Sequence, residues 1–406
     1  MTNNDKSPRE AVILSAARIA QGKLLGALTP FRPHQLGQIA VKAAVERSGI
    51  DTQQITEVFI GQVLAAGSGQ ALPRQISIGV GIPPHVGGIT INKICGSSLK
   101  AAMLASGLIR AGDGDLYVVG GVESMTNAPF MALDGRTGHK YGHFEMKDAI
   151  MWDGLWDHVQ GWIMGEAAEF IADEFDITRQ QMDEYACRSH ALAHEATVSG
   201  RFKDEIVPVE IKGRKGAVTI FDQDESIRPD TSLETLAKLR PAFIPDGKVT
   251  AGNSPGLNDG AAAVIVASRE YAELHGHPPL ARVVGYGQAA VEPKWLFAAP
   301  IQAIQNALAR AGWTVDDLDL VEINEAFAAQ ILADLKGLAQ KGHAIPLEKL
   351  NVNGGAIAIG HPIGASGARV LVTLLYALKQ RGLTRGLAAL CLGGGEAVAM
   401  AVEIEH

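Results

Sequence analysis

The chain has 406 residues, is 47% hydrophobic, 20% charged and 5% aromatic, and carries 36 Lys plus Arg against 44 Asp plus Glu, a formal charge of -8. So much apolar material excludes wholesale disorder, and the acidic balance without a basic block argues against nucleic acid as a partner. No apolar run reaches the length of a membrane span, so no membrane partner is expected.

The densest basic group, Lys212, Arg214 and Lys215, reads as a loop between short strands. Three Cys make no disulfide framework and fit a reducing compartment. The first ten residues lack the apolar stretch of a signal peptide, so a cytoplasmic protein of two or three domains is the expectation.

Along the chain, residues 11–15 (AVILS) read as a buried strand. Residues 36–48 form a helix with Leu36, Ile39, Ala40, Ala43 and Ala44 on one face, followed by Gly49, a polar turn and a strand from Val58 to Ile60. A second helix, Leu99 to Ile109, leads into strand Leu116 to Val119 and then Gly120 and Gly121. The stretch 124–250 differs in character. It holds Trp152, Trp156 and Trp162 and charged helices such as 178–199, and it reads as an insertion. Residues 251–268 turn Gly-rich and then strongly apolar, as a strand returning to the first unit would.

Further on, Ile301, Ile304, Ala307 and Leu308 mark a helix ending at Gly312, before strand Leu320 to Ile323. Helix Ala365 to Leu378 then runs into strand Leu387 to Leu392 and Gly393. This alternation predicts an α/β protein. Laid over each other without a gap, Gly49 falls on Gly312, Ile55 on Leu318, Val58 on Val321 and Ile60 on Ile323. The second helix–strand–glycine pair matches in the same order, so the fold reads as a duplication with a site between two similar halves. The expected division is 1–123 with 251–275 as the first half, 124–250 as the insertion, and 276–406 as the second half.

Candidate chemistry clusters at strand ends. Cys95, in INKICGSSLKAAM, sits where a strand meets a helix. Unpaired N–H groups at a helix N-terminus lower a thiol pKa and favour a nucleophilic thiolate, with Gly96, Ser97 and Ser98 keeping the turn open for a substrate. The alternative is a small buried hydrophobe. The segment Asn351 to Gly367 is dense in glycine, which suits backbone approaching a ligand, and centres on His361, a candidate base or hydrogen-bond donor. Cys391 precedes three Gly whose N–H groups could serve an oxyanion, or it is a buried strand-end residue. Asn324 and Glu325 end another strand, where α/β sheets present binding residues.

Other patterns carry less. Cys187, in mid-helix, reads as packing. The pairs His190/His194 and His139/His143 have helical spacing but no third ligand, so they read as solvated faces and no metal is expected. Gly285 to Ala290 fits a loose dinucleotide pattern, but Pro293 follows where a helix should run.

The blocks NKICGSSLKA, GGVESMTNAPF, RPDTSLETLAKLRPAF, VTAGNSPGLNDGAAA, NEAFA, NGGAIAIGHPIGASGAR and CLGGGEA stand in the order of thiolase blocks. Over nearly its whole length the chain resembles the thiolase family. The resemblance implies a duplicated five-layer α-β-α-β-α fold with a loop domain inserted in the first half. It implies reversible ping-pong Claisen chemistry on 3-ketoacyl-CoA, within fatty acid metabolism.

By that resemblance Cys95 carries the acyl group, His361 activates it, and Cys391 moves the α-proton. His361 and a water held by Asn324 would form one oxyanion hole, and the N–H groups of Cys95 and Gly393 the other. Leu155, Met164, Arg228, Phe243, Ala251, Ser254, Ala326 and Phe327 would hold CoA. Ile163, Pro255 after Ser254, and GGGEA in place of GGGQG depart from the commoner family pattern and bear on CoA contacts and chain length.

The expected activity is acetyl-CoA C-acetyltransferase, converting two acetyl-CoA to acetoacetyl-CoA and CoA, with CoA thioesters as substrates and no cofactor. Leu296, beside Trp295 and Phe297, either narrows the acyl pocket or belongs to the core. The alternatives are a degradative 3-ketoacyl-CoA thiolase of broader range and a non-catalytic acyl-CoA or lipid-binding relative. A ketoacyl synthase would lack the second cysteine. Residues 125–150 resemble the loop that joins dimers, so a homotetramer, a dimer of dimers, is expected.

Overall fold

Long runs of Ala, Val, Ile and Leu form strands covered on both faces, as near-continuous apolar strands should. The computed structural model describes residues 9–213 and 216–405, so Arg214 and Lys215 of the basic group lie outside the described residues. The main strands are β1 (Ala11–Ile19), β2 (Glu57–Gly61), β3 (Gly87–Ile91), β4 (Leu116–Ser124), β5 (Asn258–Ser268), β6 (Ala281–Ala290), β7 (Leu320–Ile323), β8 (Arg385–Leu392) and β9 (Glu396–Ile404). Their order is β7-β8-β9-β6-β1-β5-β4-β2-β3, and the short strands Gly22–Lys23 and Ile206–Val207 attach to β5 and β1. Gly285 and Gly287 lie inside β6 rather than in a nucleotide-binding loop.

The duplication is visible in this order. β2-β4-β5-β1 and β7-β8-β9-β6 each begin with a parallel pair and continue with two antiparallel pairs. The halves join edge to edge through only two residue pairs, Val12 with Arg282 and Ile13 with Ala281. Gly49 and Gly312 both end helices in the left-handed conformation (φ 67° and 69°), where a side chain would be strained. That shared requirement is why the two segments align without a gap.

Alternate residues of the strands serve different layers. Val12, Leu14, Val58, Ile60 and Val118 pack beneath α1 (Pro33–Ser48) and α2 (Leu72–Gly79). Ile13, Phe59, Tyr117 and Val119 face α3 (Ser97–Ala111). The insertion contributes α4 (Met164–Glu174) and α5 (Arg179–Val198), and the second half α6 (Ala299–Ala311), α7 (Ala328–Gln340) and α8 (Ser366–Arg381). Helices α3 and α8 pack on each other between the two half-sheets, with α6 on β6 and β9. Outer helices, half-sheet, central helices, half-sheet and outer helices make the five layers. No helix among the described residues is long and apolar enough to cross a membrane.

A buried ionic triad fixes the insertion to β1. Arg18 is fully buried, with Nε 2.6 Å from Glu205 and the two terminal nitrogens 2.8 and 2.9 Å from the Asp224 carboxylate. Burial disfavours its charge, but Asp224 and Glu205 outweigh burial and raise its pKa. Truncating one partner leaves the others charged and unpaired. Arg18→Met is expected to cost about 3–5 kcal/mol, read as a lowered midpoint in chemical denaturation; wild-type stability would refute this role for the triad.

Candidate active site

The turn between β3 and α3 is built to present Cys95. Ser97 Oγ accepts the Lys93 N–H at 2.9 Å and donates to the Ile94 carbonyl, while Asn92 Oδ1 accepts the Ile94 N–H at 3.1 Å. These bonds hold Ile94 at φ 45°, a conformation that costs a β-branched residue roughly 1–3 kcal/mol. Gly96 is required by close approach, because a Cβ there would lie 2.6 Å from Leu392 and 2.8 Å from Val398. Ser97 and Ser98 are themselves buried and do not open the turn to a substrate. Ser98 Oγ instead accepts the Ala368 N–H at 2.8 Å, joining the N-termini of the two central helices.

His361 reaches the same place from the second half. Its N–H donates to Asn258 Oδ1 at 2.9 Å, and its Nδ1 is 2.6 Å from Ser366 Oγ, which in turn bonds the Pro362 carbonyl at 3.0 Å. A hydroxyl has one proton. With that proton given to Pro362, Ser366 accepts from Nδ1–H and leaves a lone pair on Nε2, the state a general base needs. Burial, assisted by the nearby Arg369 charge, pushes the His361 pKa down to about 3, so the ring is neutral.

The helix N-terminus does not make Cys95 a resting thiolate. Burial pushes its pKa up to about 12, the N–H groups of Cys95 and Gly393 lower it only in part, and the Glu123 charge adds to the rise. Four or so unpaired N–H groups lose to removal of the sulfur from water. Cys391, 1% exposed near the end of β8, is raised well above an ordinary thiol by burial, then by Cys95 and Asp334. Lys93 Nζ lies 2.6 Å from both Glu396 oxygens, so the unusual Glu of GGGEA ties the Cys95 turn to the loop carrying Gly393. Glu123 accepts N–H groups from Val63, Leu64 and Gly364, joining the halves again beside the site.

Asn324, just past β7, is fully buried with Nδ2 3.4 Å from His361 Nε2. Glu325 points elsewhere. Its carboxylate accepts from Tyr185, Ser189, Asn351 and the Ile357 N–H at 2.7–3.0 Å, so it anchors the glycine-rich segment and is not a binding residue. Glycines of that segment press on protein groups: Gly355 on Glu325, Gly360 on Asn258, and Gly364 on Gln62 and Glu123. Their density lets buried polar side chains surround His361 and is not explained by ligand approach.

Cys95, His361, Cys391 and Gly393 open into one cavity of about 370 Å³. Leu155, Met164, Phe243 and Ala251 line it, as do Ser254, Ala326 and Phe327. Arg228 does not. It is exposed beside the cavity, and its guanidinium donates to the Ala251 carbonyl at 3.3 Å. Ile163 and Pro255 also belong to the wall, and the buried Ser254 Oγ has no partner among the described residues. A π-helical turn, Ile150–Leu155, brings Met151, Gly154 and Leu155 to it. Leu296 and Phe297 line the cavity, whereas Trp295 stacks edge-on against Phe170, 5.2 Å between rings.

Ser366, Arg369 and Asn258 were not singled out in the sequence. The available signal was polar residues within Gly- and Ala-rich blocks flanking His361. His190 departs from the solvated face expected for it: it is buried, Nδ1 accepts the Arg228 N–H at 3.1 Å, and burial and then Arg228 push its pKa down to about 4. His194, His139 and His143 are exposed, and no metal-holding cluster occurs among the described residues. Cys187 is half-buried against the main core.

Comparison with known proteins gives one family. The thiolase N-terminal domain model matches residues 11–270 and the thiolase C-terminal domain model residues 277–404. An acetyl-CoA acetyltransferase of Syntrophomonas wolfei is 50% identical over 397 residues, covering 97% of this chain and 99% of that protein. One from Cupriavidus necator is 49% identical over 394 residues, with 97% and 99% covered. The crystal structure of the Bacillus anthracis acetyl-CoA acetyltransferase superposes with a TM-score of 0.94 at 41% identity, covering 98% of this chain and all of that one. The Syntrophomonas wolfei structure gives 0.96 at 39%, with the same coverage.

A neutral Cys95 beside a neutral His361 has a measurable signature. Alkylation of Cys95 by iodoacetamide should quicken roughly tenfold per pH unit from pH 6 to 9, because the thiolate fraction grows toward a pKa near 12. A rate already flat from pH 6 would mean a resting thiolate–imidazolium pair and overturn this protonation state.

Proposed function

Because this chain belongs to the thiolase family, we propose that it is an acetyl-CoA C-acetyltransferase, converting two acetyl-CoA to acetoacetyl-CoA and CoA and running in reverse. The observation that carries this reading is two thiols and a neutral imidazole sharing one apolar cavity. Cys95 attacks the first thioester as its proton passes to His361 Nε2. The departing CoA sulfur takes the proton of Cys391, leaving a Cys391 thiolate and an imidazolium. Burial that makes Cys391 a poor acid makes its thiolate a strong base, which suits the weakly acidic α-proton of the second acetyl-CoA.

The enolate oxygen then lies against His361 Nε2–H and a water on Asn324, and the enolate carbon attacks acetyl-Cys95. The N–H groups of Cys95 and Gly393 receive the tetrahedral oxyanion. Collapse releases acetoacetyl-CoA, and Cys95 recovers its proton from His361. Every proton is returned, and no cofactor beyond the CoA thioesters enters the scheme.

Pantetheine would run along Leu155, Met164, Phe243, Ala251, Ala326 and Phe327, with the unpartnered Ser254 hydroxyl free for one of its amides. Arg228 would meet the CoA phosphates outside the cavity. Leu296, Phe297 and Phe327, the last two 5.4 Å apart between rings, favour a short acyl group. CoA-dependent cleavage of 3-ketoacyl-CoA from four carbons upward tests this. A sharp four-carbon optimum, abolished in Cys95→Ala, is expected. A flat or rising profile would instead make the enzyme a degradative thiolase, and no cleavage at any length a non-catalytic acyl-CoA or lipid-binding protein.

The same reading includes a cytoplasmic homotetramer. Leu133, Tyr141, Phe144 and Met146 are all at least half exposed on the 125–150 segment, more apolar surface than an isolated arm would leave in water. Light scattering should give four chains per particle, and a monomer would end this part of the proposal.

A further inference from the structure

Asn324 is held from behind by an arginine that the reaction written above does not use. Arg369, in the first turn of α8, is 1% exposed, and its Nη2 donates to Asn324 Oδ1 at 3.2 Å. Nη1 lies 3.9 Å from the carboxylate of Glu322, on β7 two residues before Asn324. Nε and Nη1 have no hydrogen-bond partner among the described residues. Burying a guanidinium with so few partners is unfavourable, and an apolar side chain of similar volume would pack there more cheaply.

What this arginine adds is directional. An amide is nearly symmetric in shape, so a half-turn exchanges its oxygen and nitrogen at little steric cost. A guanidinium offers five donors and no acceptor, so it can bond only the amide oxygen. With Oδ1 committed to Arg369, Nδ2 must face the opposite way, where it lies 3.4 and 3.5 Å from the His361 ring nitrogens. The flipped amide would present a carbonyl oxygen toward a developing enolate.

We propose that Arg369 is a positioning residue that fixes the Asn324 amide with its donor toward the enolate oxygen. This rests on the proposed Claisen reaction and concerns only its carbon–carbon bond step. Acetylation of Cys95 uses other donors, and loss of the Arg369 charge would only make His361 a stronger base, so it would not slow that step.

The test compares Arg369→Gln, Arg369→Lys and Asn324→Ala, singly and with Arg369→Gln combined with Asn324→Ala. The readouts are acetylation of Cys95 by acetyl-CoA, followed by mass spectrometry, and steady-state condensation. Arg369→Gln should lower the condensation kcat about 100-fold, the scale of one lost oxyanion donor. KM and the acetylation rate should change less than about threefold, and Arg369→Lys should recover at least about tenfold of the loss. In the Asn324→Ala background, Arg369→Gln should cost less than about threefold, since the group it orients is gone.

An equal loss in that background, or acetylation falling in step with condensation, would overturn the proposal. Should Arg369→Gln fold poorly, Glu322→Gln/Arg369→Gln removes the buried acid left facing it and carries the same comparison. Wild-type condensation by Asn324→Ala alone would instead refute the enolate reading itself, an outcome distinct from failure at Arg369.

Discussion

Removal of water from the junction between the two halves governs the protonation of Cys95, His361 and Cys391. In water, a thiol beside an imidazole can separate charge cheaply. In this cavity the thiolate and the imidazolium are each disfavoured, Cys95 moving up to about 12 and His361 down to about 3. The resting site therefore stores no ion pair, and charge separates only once Cys95 reacts. Donors already fixed in place matter most under such conditions, because they need no reorganisation and act through a weakly screening medium. The staples around the site, Ser97 on the Cys95 turn, Asn258 and Ser366 on His361, and Glu123 across the halves, keep those positions fixed.

The duplication explains how unlike residues come to share one cavity. The turn before α3 carries Cys95, and the segment before its counterpart α8 carries His361. Where β2 ends with Gly61, β7 is followed by Asn324, and the equivalent of the β4 terminus carries Cys391. Strand C-termini and helix N-termini of both halves converge, which is where α/β folds present ligand-binding groups. One architecture thus supplies two sets of positions, and each is filled with different chemistry.

Much of this was legible in the sequence because it depends on local pattern. Short continuous apolar runs, the helix-ending Gly49 and Gly312, and the Cys95, His361 and Cys391 segments all announce themselves within about fifteen residues. Misreadings came where the outcome depends on what lies opposite in space. The helix N-terminus at Cys95 was visible, but the apolar walls that reverse its effect come from distant segments. Glu325 looked like Asn324's companion, yet Tyr185 and Ser189 of the insertion claim it. His190 looked solvated because the segment covering it, around Arg228, is nearly forty residues away in sequence. Arg369 lay inside a recognised block, but only its bond to Asn324 gives it meaning.

The seam between the halves has a mechanical consequence. Their sheets share two residue pairs, and the bond from Ala368 N–H to Ser98 Oγ pins the central helices together at their first turns. A rotation of one rigid body against another displaces each atom in proportion to its distance from the pivot. Cys95 lies three residues from one end of that pin and His361 seven from the other, so both sit close to the axis. A rotation about that pin would move the rim of the molecule most and change the spacing of Cys95 and His361 least.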